Sequence, residues 1–305
     1  MRRRSFIQKS TLGAIGIASL DIHSMSIVER QHVNISLTPW SLIRSSYGGN
    51  DPLDISVLEF PKVANTLGFR YIDHEMFHFP PNLGLQYINR MNRQMESAGV
   101  QSAVMLTGGK GDVGDKNLAN RKKALATYRF WIDVAVDLNC KAMRNVCAEF
   151  VTIPNKEKLK YAIEGVHELG EYAASKGLDL LIENHNGYSS NPEWMVSLMQ
   201  GVNLKNVGVL GDFTNWTLKR NPDVYYPDPY QGFELLSPYI CAISAKSSTF
   251  DANGNETTTD YQRMFSILKN APDFMFAGVE FFGNELSRNL GAKKTRELIE
   301  KVLAL

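Results

Sequence analysis

The sequence is poor in cysteine, and its cysteines follow no recognisable pattern. Cys140, Cys147 and Cys241 are an odd number, and no two of them form a C-x-x-C pair. This usage argues against a disulfide framework and against a structural zinc site. The simpler interpretation is that they are small buried hydrophobic residues on strands.

The chain also lacks a surplus of either charge. Its 33 Lys and Arg residues are balanced by 32 Asp and Glu residues, which leaves a formal net charge of +1 over 305 residues. Proteins that bind nucleic acid normally carry a basic surplus that releases counterions from the phosphates. We therefore do not expect a nucleic-acid partner.

The apolar stretch near the N-terminus, residues 11–20, is too short for a stable membrane span. It follows the run RRSFI at residues 3–7, which resembles a twin-arginine export signal. We interpret residues 1–30 as this signal, with cleavage between residues 19 and 29, and we assign the folded domain to residues 31–305. The expected location is the periplasm of a bacterium. An ordinary basic and disordered N-terminus is the alternative.

From residue 31 onward, short β-rich runs alternate with longer amphipathic stretches. The eight strand candidates are HVNISLTPW, FRYIDHE, VQSAVMLTGG, CKAMRNVC, LDLLIENHN, NVGVLGDFTNW, CAISAKSS and FMFAGVEFFG. Helices are predicted at residues 51–68, 82–99, 117–139, 155–177 and from 292 to the end. Eight strand–helix units predict an α/β protein with a single (β/α)8 TIM barrel. A doubly wound open sheet is the competitor, but SLTPWSL after the first strand is no glycine-rich phosphate loop.

Three carboxylates follow strand cores directly, namely Glu183, Asp212 and Glu280. The carboxyl ends of barrel strands meet at one face, so these side chains are expected to lie close together. Buried carboxylates repel one another, and a divalent cation resolves this by taking their oxygens as ligands. The alternative is that each pairs with a lysine or arginine, or faces solvent.

The order IENH, GDFTN and GVEFFG resembles the xylose isomerase-like barrel superfamily of sugar phosphate isomerases and epimerases. The resemblance extends over nearly the whole chain after residue 31. It implies that Glu183, Asp212 and Glu280 are metal ligands, and that Glu183 and Glu280 are the catalytic pair that transfers a proton. The implied cofactor is a divalent cation such as Mn²⁺, Zn²⁺, Mg²⁺ or Co²⁺.

The sequence departs from this family at the third ligand. Relatives typically read H-x-K there, whereas this chain reads Ser244-Ala245-Lys246. Serine is a weak neutral ligand, so metal affinity is expected to fall unless water or another side chain fills the position. Asn215 stands where some epimerases have a histidine.

Five further residues, with Asn215, are predicted to contact the substrate. They are Arg144, His185, Lys246, His74 and Trp216. Lys246 would hold a substrate hydroxyl or polarise a carbonyl, or else form a salt bridge with Glu280 or Asp212. His185 would contact a sugar hydroxyl or replace the missing metal ligand. Arg144 would bind an oxyanion or pair with Glu149.

The predicted function is a metal-dependent isomerase or epimerase that acts on a sugar or sugar-like polyol by carboxylate-mediated proton transfer. Export favours a free sugar, a keto-sugar, an inositol or a glycoside derivative over a sugar phosphate. The alternatives are a lyase or hydrolase on a keto-sugar derivative, and a non-catalytic carbohydrate-binding barrel. A metal-dependent endonuclease is the least favoured. The expected partner is a small carbohydrate, and a homo-oligomer is compatible with the sequence.

Overall fold

The structure, a computed structural model, describes residues 33–148, 155–220 and 222–304. The predicted export signal at residues 1–30 lies outside the described residues, so that assignment and the domain boundary stay predictions. The barrel belongs to one compact unit, His32–Leu305. None of the helices in its described part combines the length and apolarity needed to cross a bilayer.

Eight parallel strands close into a barrel, as the sequence predicts. In chain order the barrel strands are β1 (Asn34–Leu37), β2 (Tyr71–Glu75), β3 (Gln101–Leu106), β4 (Ala142–Val146), β5 (Asp179–Glu183), β6 (Val207–Asp212), β9 (Ile240–Ser247) and β10 (Phe276–Phe281). The closing pair is β1 with β10, in the register Asn34 to Phe276. A short hairpin, β7 (Thr217–Lys219) with β8 (Val224–Tyr225), is inserted after β6.

Helices connect the strands on the outside of the barrel. They are α1 (Phe60–Thr66), α2 (Leu85–Ala98), α3 (Leu118–Asp137), α4 (Asn155–Ser175), α5 (Pro192–Val202), α6 (Pro229–Leu236), α7 (Tyr261–Leu268) and α8 (Arg288–Leu303). Local sequence sets several ends: Asn117 and Asn191 cap the N-termini of α3 and α5 with their side chains. Gly99 ends α2 in the left-handed conformation, at φ 67°.

The first predicted helix is much shorter than expected. Residues 51–68 were predicted to be helical throughout, but α1 begins only at Phe60. Pro61 is tolerated in the first turn of a helix and not deeper. Upstream of it, Asp54 accepts hydrogen bonds from the backbone N–H groups of Arg44 and Ser45, and both Asp51 and Asp54 pair with Arg288. These contacts hold the segment as a loop across the barrel mouth.

Two apolar layers stabilise the barrel and define where its site lies. The inner layer fills the lumen and includes Val104, Leu106, Leu181, Leu210 and Phe276. The outer layer packs the strands against the helices. Because apolar side chains fill the lumen, the polar side chains that could act in binding or catalysis are expected at the carboxyl ends of the strands.

Candidate functional site

Three buried carboxylates meet at the carboxyl end of the barrel. Glu183 and Asp212 are the last residues of β5 and β6, and Glu280 is the penultimate residue of β10. Their exposed fractions are 3%, 0% and 8%. Desolvation of this extent is costly for ions unless each finds a partner.

Lys246 on β9 is the partner of two of these carboxylates. Its Nζ lies 2.8 Å from Asp212 Oδ2 and 3.9 Å from Glu280 Oε1. It also donates to Asn215 Oδ1 at 3.2 Å. Although burial opposes the charge, Asp212, Glu280 and Glu183 raise the pKa of Lys246 above its ordinary value. The lysine is therefore an ammonium ion lying among the carboxylates.

Arg144 on β4 pairs with the third of these carboxylates, Glu183, and with a fourth, Glu75. Its Nε lies 2.8 Å from Glu183 Oε2, and its Nη2 lies 3.9 Å from Glu75 Oε2 on β2. Its Nη1 donates to the carbonyl of Thr107 at 2.6 Å. Burial opposes the charge here too, but the surrounding carboxylates raise the pKa of Arg144. Of the two alternatives for Arg144, pairing is thus observed, with Glu183 and Glu75 as partners; Glu149 lies outside the described residues.

Two asparagines fix the positions of the carboxylates. Asn184 donates to the backbone carbonyl of Asp212 at 3.0 Å, and its own Oδ1 accepts from the Asp212 N–H at 2.6 Å. Asn215 donates to Glu183 Oε1 at 3.1 Å while accepting from Lys246. The polar residues that follow β5 and β6 therefore join the ends of these two strands in one hydrogen-bonded unit.

The cluster holds more negative than positive charge. Four carboxylates (Glu75, Glu183, Asp212 and Glu280) act on Arg144, and Lys246 is the second cation. Burial raises the pKa of Glu75 to about 7, although Arg144 and the Trp40 hydrogen bond oppose this. Burial also raises the pKa of Glu280, against the opposing effect of Lys246. With all four ionised, the excess is two negative charges, which either bound protons or a divalent cation would neutralise.

The donor chemistry of the cluster fits a hard divalent cation, with one obstacle. Glu183 Oε2 and Asp212 Oδ2 are buried and, apart from their ion pairs, accept no hydrogen bond from the described residues. Ser244 replaces the histidine expected at the third ligand position, and its hydroxyl donates to Glu280 Oε2. As they stand, the His, Cys, Asp and Glu side chains of the described ranges form no group of three arranged around a metal. The obstacle is Lys246, whose ammonium lies against Asp212.

A cavity of about 310 Å³ opens beside Lys246. Its lining residues are Thr214, Lys246, Ser247, Ser248, Thr258 and Phe282. Phe282 is 39% exposed, and the Arg44 guanidinium lies 4.3 Å from its ring centroid. An aromatic face, hydroxyl groups and an ammonium ion are the groups that recognise a polyol.

The loop after β9 that forms one side of this cavity is held by a buried carboxylate. Glu256 accepts hydrogen bonds from the backbone N–H groups of Ser248, Thr258 and Thr259, at 3.2, 2.7 and 2.5 Å. These three hydrogen bonds hold Ser248 and Thr258 in the cavity wall.

The family model for a xylose isomerase-like TIM barrel matches residues 61–302. The chain belongs to this family. The resemblance on which the site residues were assigned is confirmed at family level, while the roles of the individual residues stay predictions. No curated protein gave a significant match.

Solved structures with the same barrel are distant in sequence. A xylose isomerase-like TIM barrel protein from Mycobacterium smegmatis in complex with magnesium is 20% identical, with a TM-score of 0.67 over 89% of this chain and 96% of that one. D-psicose 3-epimerase from Clostridium cellulolyticum H10, solved with D-tagatose, is 13% identical, with a TM-score of 0.69 over 89% and 99%. The 3-keto-D-glucoside 4-epimerase from E. coli is 12% identical, with a TM-score of 0.65 over 88% and 100%. At these identities the likeness establishes the shared fold.

Two predicted substrate contacts lie away from the carboxylate cluster. His74 is buried, and its Nε2 lies 2.8 Å from the hydroxyl of Ser102, which itself contacts Met95 of α2. Trp216 is 3% exposed, donates to the carbonyl of Phe213 and packs against Phe233. Neither residue is among those that line the cavity, so their roles as substrate contacts stay predictions.

His185 lies next to the site on the turn that follows β5. Its backbone N–H donates to Ser189 Oγ at 3.0 Å, and its ring Nδ1 lies 3.4 Å from the amide nitrogen of Asn186. Asn186 has a positive φ of 66°, which turns the chain sharply at this point. The ring is half-buried.

Glu75 is the site residue that the predicted set omitted. In the stretch DHE, side chains of a strand alternate between its two sides, so a Glu75 that faces the cluster directs His74 away from it. The alternation in the sequence was itself the signal that would have identified Glu75.

Proposed function

We propose that the protein is a sugar isomerase or epimerase that removes and returns a proton on a carbon next to a carbonyl. The observation that carries this proposal is the pair Glu183 and Glu280, which lie at the ends of β5 and β10 at the barrel mouth and both act on Lys246. Two carboxylates in different environments are suited to opposite roles in proton transfer.

The two environments suggest which glutamate does what. Glu183 lies against the Arg144 guanidinium, and we assign it as the base. Glu280 lies 3.9 Å from the Lys246 ammonium and accepts a hydrogen bond from the Ser244 hydroxyl, and we assign it as the acid that returns the proton. Lys246 and Asn215 lie between them and orient the substrate hydroxyl and carbonyl groups.

A divalent cation held by Glu183, Asp212 and Glu280 would supply positive charge next to the oxygen on which negative charge develops. The known neighbours support this choice, since one of them was solved with magnesium. The identity of the cation for this chain is part of the proposal, with Mn²⁺, Mg²⁺, Zn²⁺ and Co²⁺ as the candidates.

The substrate class that fits is a free ketose or a 3-keto-glycoside. One neighbour was solved with D-tagatose and another acts on a 3-keto-D-glucoside, which motivates both choices. The cavity offers hydroxyl groups and the face of Phe282. A periplasmic location, which we propose from the N-terminal RRSFI run, also favours an unphosphorylated sugar.

The test is conversion of a panel of ketohexoses and 3-keto-glycosides by purified protein with each of the four metals. Products are separated by chromatography and weighed by mass spectrometry. Isomers of unchanged mass are expected. Smaller fragments would contradict the proposal in favour of a lyase or hydrolase. Sugar binding without any conversion would favour a carbohydrate-binding barrel.

A further inference from the structure

We propose that Trp40 is the stacking platform of the site, and that it selects a sugar held as a closed ring over an open-chain sugar. This inference rests on the proposed function and narrows its substrate class to a ring-form glycoside. Glu75 enters as the residue that positions the indole.

Trp40 differs from the other tryptophans in its exposure. All four tryptophans lie within the described residues, and Trp131, Trp194 and Trp216 are only 8%, 3% and 3% exposed. Trp40, in the turn after β1, keeps part of its surface accessible. A tryptophan is among the largest apolar surfaces that a chain can bury, so an indole left partly open among polar groups is suited to cover the apolar face of a ligand.

The N–H group of the indole is fixed by Glu75. Trp40 Nε1 donates to Glu75 Oε2 at 2.9 Å, and the same oxygen lies 3.9 Å from Nη2 of Arg144. Arg144 in turn pairs with Glu183, the assigned base. The indole therefore belongs to the same chain of polar contacts as Glu183, and turning the ring would leave a buried carboxylate without its donor.

The ring and its neighbour in the chain are held as well. Ser41 Oγ accepts from the N–H of Phe281 at 3.0 Å, directly after Glu280 on β10. The indole packs edge to face against His78, with ring centroids 4.6 Å apart. His78 is 1% exposed, and burial lowers its pKa to about 4, so the imidazole is neutral. These contacts hold the indole in one orientation beside the ends of β2 and β10.

A flat and fixed aromatic face distinguishes ring sugars from open-chain sugars. A pyranose presents several C–H groups in nearly one plane, which match an aromatic ring, whereas an open-chain ketose has no such plane. The open chain would also lose freedom about each C–C bond on binding, a cost that the closed ring does not carry. When the carbonyl is on a ring carbon, as in a 3-keto-glycoside, the proton leaves and returns to the neighbouring ring carbon without ring opening.

The experiment is acrylamide quenching of tryptophan fluorescence in the purified protein. Two probes are compared: methyl β-D-glucopyranoside, which is locked as a ring, and sorbitol, which is an open chain. We expect the glycoside to reduce quenching with saturation, and sorbitol at equal concentration to leave it unchanged. Trp40→Phe should abolish the protected signal. Trp131→Phe, the matched control, should keep it, because Trp131 lies on α3 and is buried.

Calorimetric titration of the glycoside measures the contributions of Trp40 and Glu75 to affinity. We expect Trp40→Ala and Glu75→Ala each to weaken binding about tenfold. Glu75→Gln should bind nearly as the wild type does, because its amide oxygen still accepts from the indole N–H. Circular dichroism verifies that each variant is folded. Equal loss in Glu75→Gln and Glu75→Ala would overturn the positioning role of Glu75.

Unchanged quenching with the glycoside, or equal protection by sorbitol, would overturn the inference. Wild-type affinity in the folded Trp40→Ala variant would do the same. Protection of Trp40 by the glycoside, with no sugar converted, would support the inference and count against the proposed function. Conversion of ketoses without protection by the glycoside would overturn the inference and leave the proposed function standing.

Discussion

Replacing Asp212 with asparagine tests whether the charges at the barrel mouth are balanced as described. Asp212 is fully buried; its Oδ1 accepts from the Thr214 N–H at 2.7 Å and from the Asn215 N–H at 2.9 Å, and its Oδ2 meets Lys246 at 2.8 Å. The Asp212→Asn side chain keeps the first two hydrogen bonds. Its amide group, however, sets a donor against the ammonium of Lys246.

Removing one partner of a buried ion pair costs about 3–5 kcal/mol, because the other charge is left unpaired. Glu280, at 3.9 Å, still offers Lys246 some compensation, so we expect the lower end, about 3 kcal/mol. The double variant Asp212→Asn/Lys246→Met no longer has the stranded charge. We expect it to be at least about 2 kcal/mol more stable than the sum of the two single changes predicts.

The assay is equilibrium unfolding in urea with a chelator present, followed by circular dichroism for the wild type, both single variants and the double variant. The free energies of unfolding give the coupling between the two positions. A loss below about 1 kcal/mol for Asp212→Asn, or additive single effects, would refute the reasoning. Either result would mean that Lys246 does not depend on Asp212 for its charge.

Three further predictions concern single residues. The folded state raises the pKa of Glu75 from 4.5 to about 7, so it holds a proton that the unfolded chain releases, and its contribution to stability falls as pH rises through that window. Stability measured from pH 5 to 8 should therefore fall by up to about 3 kcal/mol more in the wild type than in Glu75→Gln, and parallel curves would contradict this. Phe282→Ala should raise KM about tenfold with kcat nearly unchanged, since the ring supplies a stacking face; an unchanged KM would remove Phe282 from the substrate site. Ser244→His should tighten Mn²⁺ binding in calorimetry by restoring the fourth strong ligand, and weaker binding would show that the position does not face the metal.

The order of the barrel strands could be predicted from the sequence because each strand has a local signature, a short apolar run bounded by polar residues. An apolar run ending in polar residues identified β5 and β6, and the helix predicted from residue 117 begins where the side chain of Asn117 forms an N-cap. The loop at residues 51–59 was not predictable in this way. Its structure depends on Arg288, which lies more than 200 residues further along the chain.

The site was predictable to the level of its carboxylates and no further. Glu183, Asp212 and Glu280 stand out because each follows an apolar strand directly. Which cation faces which carboxylate depends on side-chain reach across neighbouring strands, and only the barrel geometry brings Arg144 to Glu183 and Lys246 to Asp212. Those distances cannot be predicted from the local sequence around each residue.

The central claim is that two glutamates exchange a proton with a carbon next to a carbonyl group. The most direct measurement is proton NMR of candidate ketoses and 3-keto-glycosides incubated in D₂O with metal-loaded protein. The account predicts that deuterium enters at the carbon next to the carbonyl, and that Glu183→Gln and Glu280→Gln each slow this exchange by about 10²-fold or more. Exchange at the wild-type rate in the folded Glu183→Gln variant would contradict the claim.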